Sequence, residues 1–318
     1  MTVPLLEVRD LVKHYRAHGT VIRAVDGVSR DIAAGETLGL VGESGSGKST
    51  VGRTVLRLEP LTSGSVRFDG NDLGSLSSAA LRATRRRMQL VFQDPGGALN
   101  PRRRVGDAIA EGMRIHRTVA PGAIRDRVIA LLEEVGLAAS DADKRPHQFS
   151  GGQRQRIGIA RALAVEPALL VCDEPVSALD VSVRAQVLNL LLELRERRAL
   201  AYLFIAHDLA VVQQVAHRVA VMYLGTIVET GQARTVIGAP RHPYTRALVS
   251  AIPHPDPARA SERIVLAGEQ PSPAKPPPGC PFEPRCFHPA KDARCRHERP
   301  ALEGLGERRV ACHHERVD

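Results

Sequence analysis

The stretch Gly42–Thr50 reads GESGSGKST. It follows the apolar run TLGLV and opens a predicted helix from Ser49 to about Leu58. Glycines at these spacings let backbone N–H groups converge on phosphate oxygens, and a helix N-terminus adds positive potential. Lys48 is expected to reach the β- and γ-phosphates, and the Ser49 hydroxyl is expected to ligate Mg²⁺. The stretch therefore predicts a phosphate-binding loop at the edge of an α/β sheet.

Other polar residues follow predicted buried strands further along the chain. Asp173 and Glu174 come after ALLVC, His207 comes after AYLFIA, and Gln93 comes after LVF. Because α/β sheets bind ligands at the carboxyl ends of parallel strands, we expect these side chains beside the phosphates. Asp173 would hold Mg²⁺, and Glu174 would act as general base on the attacking water. Gln93 would orient the water or the metal, and His207 would bind the γ-phosphate.

A second glycine pair opens another predicted helix, in FSGGQRQR at 149–156. Ser150 offers a hydroxyl, and Gly151 and Gly152 let backbone approach an anion closely. The run is either a second phosphate contact or a helix cap. Between Gln93 and this run, residues from about 96 to 160 show helical periodicity without a strong strand, which indicates a helical insertion in the α/β core.

Together these motifs resemble the ATP-binding subunits of ABC transporters over roughly residues 5 to 237. GESGSGKST is similar to Walker A, LLVCDEP to Walker B, SGGQ to the signature, and SALD at 177–180 to the D-loop. Gln93 matches the Q-loop and His207 the switch histidine, while Tyr15 matches the residue that stacks on adenine. The resemblance implies a RecA-like P-loop NTPase core with an antiparallel β-subdomain and an inserted α-helical subdomain. It also implies ATP and Mg²⁺ as ligands.

The resemblance further implies that two such ATPase domains pair head to tail, so that the signature of each covers the ATP of the other.

The motifs also indicate which residues should contact the nucleotide. The expected nucleotide contacts are Tyr15, Gly42, Glu43, Ser44, Gly45, Ser46, Gly47, Lys48, Ser49, Thr50, Gln93, Ser150, Gly151, Gly152, Gln153, Asp173 and Asp180, and the expected Mg²⁺ ligands are Ser49, Gln93 and Asp173.

The sequence after residue 237 resembles the C-terminal extension of oligopeptide and dipeptide importer ATPases. RHPYTRALVSAIP and GCPFEPRC carry this resemblance, and FSGGQRQRIGIARAL is similar to the F-type subunit of that group. We therefore expect an ATPase domain at 1–237, with its helical subdomain at about 96–160, and an extension at 238–318 ending in a Cys-rich tail.

The resemblance also implies partners and a location. They are a second, related ATPase subunit, two transmembrane permeases that dock near residues 93–115, and an extracytoplasmic peptide-binding protein. The complex would lie at the bacterial inner membrane, with this chain peripheral on the cytoplasmic face. Importers of nickel and other small solutes share the extension, so a different solute remains an alternative.

Four cysteines lie in the tail, at Cys280, Cys286, Cys295 and Cys312. Four thiolates suit an iron–sulfur cluster or a structural zinc ion, and their spacing matches no common zinc finger. The resemblance implies a four-iron, [4Fe–4S], cluster, with four free thiols as the alternative. One of His288, His297, His313 and His314 could replace a thiolate. The fifth cysteine, Cys172, is expected to be a small buried apolar residue.

The composition of the chain limits which other classes of protein it could belong to. The 318 residues carry a net charge of +9, which suits an anionic partner or a solvated, arginine-rich surface. An ATPase acting on nucleic acid is therefore an alternative, but 3% aromatic content without Trp disfavours a base-stacking platform, and we expect no nucleic-acid partner. An ABC exporter is disfavoured by the extension. Neither a signal peptide nor an apolar run of about 18 residues is evident, so we expect a cytosolic chain.

Overall fold

The computed structural model describes residues 3–17, 19–252, 263–304, 306 and 308–314. Residues 253–262, 305, 307 and 315–318 of the predicted extension lie outside the described residues. The strands are β1 Leu6–Ala17, β2 Thr20–Ile32, β3 Thr37–Val41, β4 Ser63–Phe68, β5 Asn71–Asp72, β6 Met88–Val91, β7 Leu169–Asp173, β8 Ala201–Ala206, β9 Arg218–Tyr223, β10 Thr226–Gln232 and β11 Arg309–Val310.

The helices include four between β6 and β7, the region in which the sequence predicts the helical insertion. They are α1 Lys48–Val55, α2 Ser78–Arg86, α3 Pro95–Ala98, α4 Val105–His116, α5 Ile124–Glu134, α6 Gly151–Leu163, α7 Val181–Arg198, α8 Leu209–Val215, α9 Ala233–Gly238, α10 Pro243–Ser250 and α11 Ala293–His297. Within the described ranges, no helix combines the length and apolar composition needed to cross a membrane.

The central sheet has seven strands in the order β11-β10-β9-β3-β8-β7-β6. Strands β9, β3, β8, β7 and β6 pair in parallel, whereas β10 pairs antiparallel with both β9 and β11. Every residue of β3, β7 and β8 is buried, as expected for parallel strands covered on both faces. The α/β core predicted from the sequence is confirmed.

Side chains alternate between two hydrophobic clusters along these strands. In β7, Leu169 and Val171 join the cluster under the antiparallel sheet, whereas Leu170 and Cys172 join the cluster under the helical insertion. This alternation follows from the two-residue period of a strand. The predicted assignment of Cys172 as a small core residue agrees with its complete burial, which raises the pKa of its thiol to about 12.

A second, antiparallel sheet has the order β2-β1-β4-β5. Its apolar residues, among them Leu6 and Val8, pack in the same cluster as Val51 and Val55 of α1. The sheet is therefore fixed to the helix that follows the phosphate-binding loop. That helix ends at Val55 rather than at the predicted Leu58, because Arg57 adopts a left-handed φ of 55° that an α-helix does not accommodate.

The helical insertion packs on the opposite face of the central sheet. Within α5, the buried residues are Val128, Leu131 and Leu132, which the helical periodicity places on one face. The turn after α5 contains Gly136 with a left-handed φ of 74°, a conformation in which glycine commonly ends a helix.

The extension is joined to the central sheet more closely than its Pro-rich sequence suggests. The segment at 271–282 forms no helix or strand, yet Phe282 is fully buried in the main cluster. Further on, β11 adds an edge strand to the central sheet. A fully buried carboxylate, Glu229, accepts hydrogen bonds from Arg308 and from the backbone N–H groups of Arg241 and His242. These contacts bind the extension to β10.

Candidate nucleotide-binding site

The predicted site residues that follow parallel strands lie at one edge of the central sheet. Gly42 follows β3, Gln93 follows β6, Asp173 ends β7 and His207 follows β8. Because these four strands are neighbours and parallel, their carboxyl ends lie side by side. The edge therefore gathers residues that are far apart in the sequence.

Lys48 lies inside the phosphate-binding loop rather than projecting to solvent. Its side-chain Nζ donates hydrogen bonds to the carbonyl oxygens of Gly42 and Glu43, both at 2.8 Å. Burial lowers the pKa of its ammonium, while the carboxylates of Glu174 and Asp173 act in the opposite direction. A nearly buried cation held at the centre of a loop is suited to bind a polyphosphate.

The loop needs glycine where it passes β2. Gly47 has a φ of 103°, and a Cβ at this position would lie 2.0 Å from the carbonyl oxygen of Ala24. No side chain caps α1, so the N–H groups of its first turn remain available to an anion. The backbone thus forms an anion-binding cradle at the helix N-terminus.

Two oxygen ligands lie next to the loop. The Ser49 hydroxyl donates to Oδ1 of Asp173 at 2.7 Å, and Asp173 is 5% exposed. Burial raises the pKa of the Asp173 carboxyl, and the hydrogen bond from Ser49 counteracts this effect. A buried carboxylate beside a hydroxyl offers the hard oxygen donors that Mg²⁺ prefers, so these residues fit the ion.

Glu174 is the point where three of the predicted catalytic residues meet. Its Oε2 lies 3.0 Å from Nδ1 of His207 and 3.4 Å from Nε2 of Gln93. The backbone of Glu174 has a left-handed φ of 45°, which is uncommon outside glycine and concentrates at functional sites. An ionised Glu174 requires the hydrogen of His207 on Nδ1 in this contact.

Tyr15 lies beside the first turn of α1. Its hydroxyl donates a short hydrogen bond to the carboxylate of Glu59, and Thr50 and Arg53 are close enough to affect its pKa. Burial and the Glu59 hydrogen bond raise the pKa of this phenol. The ring is thus held by Glu59, a residue that the sequence motifs do not indicate.

The SGGQ run lies at the start of α6. Ser150 accepts from the N–H of Gln153, whose side chain accepts in turn from the N–H of Ser150, which forms a capping box. Within the described residues, none of their hydrogen bonds reaches 42–50. The backbone at Gly152 passes so close to α7 that a Cβ would lie 2.2 Å from Cγ1 of Val183.

Asp180 caps α7. Its Oδ1 accepts from the N–H of Val183 at 2.9 Å and from the hydroxyl of Ser182 at 2.8 Å. These hydrogen bonds, led by that from the Val183 backbone, lower the pKa of the Asp180 carboxyl. In the single chain, Asp180 therefore stabilises the start of α7, and its side chain makes no hydrogen bond to residues 42–50 among the described residues.

The four cysteines of the tail line one small pocket. Burial raises the pKa of the Cys280 thiol to about 12 and also raises the pKa of the Cys286 thiol. Three of the four predicted substitute ligands, His288, His313 and His314, also line the pocket, whereas His297 does not.

The spacing of these thiols is wider than a zinc site needs. Thiolates around a tetrahedral zinc ion lie about 3.8 Å apart, given zinc–sulfur bonds of about 2.3 Å. Among the described residues, the group of three or more ligand atoms within 4.8 Å of one another is Asp292, Cys295 and His314. Asp292 was not anticipated from the sequence, and no three of the four thiols meet this distance.

Two residues of the extension contact the phosphate-binding loop, and sequence reasoning missed both. Tyr244 accepts a hydrogen bond from the N–H of Glu43, and Arg285 donates to the Glu43 carboxylate. The feature of the sequence that could have indicated this contact is the acidic residue Glu43 inside a glycine-rich loop. Its charge does not identify Arg285, which lies 242 positions away, as its partner.

The comparisons with known proteins agree with this geometry. The ABC transporter family profile matches residues 25–177, and the profile of the oligopeptide/dipeptide transporter C-terminal region matches 228–295. A candidate peptide import ATP-binding protein of Brucella ovis is 53% identical over 283 residues, which cover 89% of either chain. A probable peptide ABC transporter ATP-binding protein of Sinorhizobium fredii is 50% identical over 321 residues, covering 98% of this chain and 90% of the relative.

Solved structures show the same fold. A dimeric ATP-binding cassette in a post-hydrolysis state, bound to ADP and Pi, has a TM-score of 0.66 and 28% identity, over 72% of this chain and 99% of that one. The protein cbiO1 of Clostridium perfringens, part of the ABC transporter complex cbiONQ, has the same TM-score and sequence identity. The match covers 74% of this chain and 91% of cbiO1. The resemblance stated from the motifs is confirmed: the chain is an ATPase that belongs to the ABC transporter family, in the group that carries the oligopeptide/dipeptide transporter C-terminal region.

Proposed function

We propose that this ATPase powers the import of peptides across a bacterial inner membrane, from the cytoplasmic face. The observation that carries the proposal is the match of residues 228–295 to the oligopeptide/dipeptide transporter C-terminal region. The names of the Brucella and Sinorhizobium relatives point to the same solute class. We divide the chain into an ATPase domain at 1–237 and an extension at 238–318.

The residues at the sheet edge support the following division of labour. Lys48 and the N–H groups of the loop bind the β- and γ-phosphates, and Tyr15 flanks the base. When bound through Ser49 and Asp173, Mg²⁺ would neutralise phosphate charge. Glu174 accepts a proton from the attacking water, and His207 and Gln93 hold its carboxylate in place.

The SGGQ run is assigned to the nucleotide of a second ATPase subunit. Support comes from its position: Gly151 is exposed, and the run makes no hydrogen bond to the chain's own loop in the described residues. The solved cassette that this chain resembles is a dimer bound to ADP and Pi. ATP bound between two subunits would hold them together, and hydrolysis would release them.

The remaining partners are two permeases and an extracytoplasmic peptide-binding protein. The surface formed by Gln93 and the helical insertion would receive the permeases. Phe92 and Ile115, which are large and apolar, are 42% and 62% exposed in this region. Such residues are suited to contact another protein.

For the tail, we propose an iron–sulfur cluster held by Cys280, Cys286, Cys295 and Cys312. Support comes from the pocket that they share and from their spacing, since no three of the four sulfur atoms lie within 4.8 Å of one another. Replacing Cys280 and Cys286 with Ser should abolish bound iron and acid-labile sulfide in anaerobically purified protein. Cys172→Ala is the control, because that thiol lies in β7. Iron retained by the double variant would refute the site, and zinc in place of iron would refute the cluster.

The transport proposal is tested by capturing the assembly. Glu174→Gln with ATP is used to pull down partners from detergent-solubilised native membranes, followed by mass spectrometry. We expect two permeases, a sibling ATPase and a binding protein. Recovery of soluble nucleic-acid proteins alone would contradict the proposal.

The solute is tested with the captured subunits in proteoliposomes. ATP hydrolysis should rise when the binding protein is loaded with peptide. Stimulation by nickel-loaded binding protein but not by peptide would assign a different solute. Stimulation by DNA without permeases would exclude a transporter.

A further inference from the structure

Glu43, the second residue of the phosphate-binding loop, is held from outside the ATPase core. Its backbone N–H donates to the hydroxyl of Tyr244 at 2.8 Å. Its carboxylate accepts two hydrogen bonds from the guanidinium of Arg285, at 2.7 and 3.3 Å. Both partners belong to the extension, so the extension is bonded directly to the loop.

The same residue is bonded to the phosphate-binding lysine. The carbonyl oxygen of Glu43 accepts a hydrogen bond from Lys48 Nζ at 2.8 Å. A displacement of Glu43 would therefore move one of the two backbone oxygens that hold the Lys48 ammonium. Glu43 thus joins the extension to the cation that must reach the phosphates.

The two residues of the extension are rigidly placed. Tyr244 is fully buried, and its ring lies 4.7 Å from that of Tyr223 and 5.5 Å from that of Phe282, measured between centroids. The Arg285 side chain is 10% exposed. Phe282 and Arg285 both lie between Cys280 and Cys286 in the sequence, so the loop that lines the cysteine pocket also carries the arginine.

The Arg285–Glu43 contact is of a strong type. Two parallel N–H···O bonds between guanidinium and carboxylate combine charge with fixed geometry, and a lysine cannot reproduce the pair. The Arg285 side chain is 10% exposed and the Glu43 side chain 30%, so solvent and salt screen the contact only in part. The contact therefore restricts Glu43 in both position and orientation.

We propose that Arg285 and Tyr244 are positioning residues for the phosphate-binding loop, through which the C-terminal extension sets the affinity of the site for ATP. Neither residue is placed in contact with ATP. They hold Glu43 in position, and the backbone carbonyl oxygen of Glu43 accepts the hydrogen bond from Lys48. The proposal concerns ATP binding and does not depend on the transported solute.

The test is a double-mutant cycle on the full chain, read as the Kd for a non-hydrolysable ATP analogue with Mg²⁺. Arg285→Gln and Glu43→Gln should each weaken binding about tenfold, a usual size for coupling between sites. The double variant should bind no more weakly than either single variant, because both remove one contact. Arg285→Lys should fall between wild type and Arg285→Gln. Tyr244→Phe should weaken binding while keeping the ring packing.

The matched control is Arg294→Gln. It removes the same charge from the extension, but Arg294 pairs with Glu298 in an exposed position and has no contact with the loop. Its Kd should equal that of wild type.

Two results would overturn the proposal. One is an unchanged Kd in Arg285→Gln and Tyr244→Phe, with or without a lower melting temperature, since the contacts would then only anchor the extension. The other is additive losses for Glu43→Gln and Arg285→Gln. A wild-type chain and control that both fail to bind the analogue would instead refute the ATP site itself, and the positioning role with it.

Discussion

At the scale of single residues, Glu174 concentrates the chemistry of the site. Gln93 and His207 approach the same carboxylate oxygen, from β6 and β8 on the two sides of β7. The other carboxylate of the pair, Asp173, bonds to Ser49 instead. Adjacent acidic residues thus have different partners, one suited to the metal and the other to the water.

We predict that Glu174→Gln retains ATP binding and loses hydrolysis. The amide keeps the shape of the carboxylate but cannot accept the proton from water, so kcat should fall about 10²- to 10⁴-fold. Phosphate release and the Kd for ATP measure the two effects separately. Glu193→Gln is the control, because Glu193 is exposed on α7 and pairs with Arg197. Near-normal turnover in Glu174→Gln would remove this residue from the role of base.

At the scale of elements, the approach of α6 to α7 requires glycine. We predict that Gly152→Ala lowers the free energy of unfolding by about 1–3 kcal/mol, as overpacking does. Val183→Ala removes the methyl group that would clash, so the double variant should be more stable than Gly152→Ala alone. Urea denaturation measures both. A double variant that loses the sum of the two single effects would show that Val183 is not the obstacle.

The start of α10 should make the stability of the fold depend on pH. His242 is fully buried, its Nδ1 accepts from the N–H of Tyr244, and burial lowers its pKa to about 3 from the ordinary 6.5. Below pH 6.5 the unfolded chain therefore binds a proton that the folded chain does not. This contribution to stability is complete above pH 6.5 and is lost as the pH falls towards 3.

The expected size follows from this linkage. Between pH 7 and pH 5, the loss should be about 2 kcal/mol. His242→Asn keeps an acceptor for the Tyr244 N–H but does not titrate, so the stability difference between wild type and variant should shrink by this amount. Urea denaturation at each pH measures it. Parallel pH profiles for the two proteins would contradict the prediction.

At the scale of the whole molecule, the assignment of SGGQ to a partner's nucleotide can be tested by charge. A Cβ at the exposed Gly151 would lie 3.6 Å from Leu179, an ordinary contact, so Gly151→Glu should fold normally. The carboxylate introduced by this substitution would face the γ-phosphate of the ATP that is bound to the sibling ATPase. In the Glu174→Gln background, ATP should drive pairing with the sibling ATPase, and Gly151→Glu should abolish it, as measured by light scattering.

The control for this prediction lies on the same helix. Gly158→Glu adds the same charge at a position where a Cβ meets nothing within 4 Å, and pairing should persist. The chain's own affinity for ATP should stay unchanged in both variants. Normal pairing by Gly151→Glu would place the signature away from the second nucleotide.

The nucleotide-binding edge could be predicted from the sequence because its signals are local. GESGSGKST lies between an apolar strand and a helix, and Gln93, Asp173, Glu174 and His207 each follow an apolar run. Strand period, glycine spacing and helix start are properties of neighbouring residues. The order of these signals was sufficient to identify the family and the α/β core with its helical insertion.

The way in which the extension joins the site could not be predicted from the sequence. The Arg285–Glu43 pair joins residues 242 positions apart, β11 is two residues long, and Phe282 is buried from within a Pro-rich segment. None of these has a periodic signal, because each depends on which surfaces meet after the chain has folded. Motifs of neighbouring residues were enough to predict which residues bind and hydrolyse ATP, whereas folding of the whole chain was needed to bring Tyr244 and Arg285 into contact with Glu43.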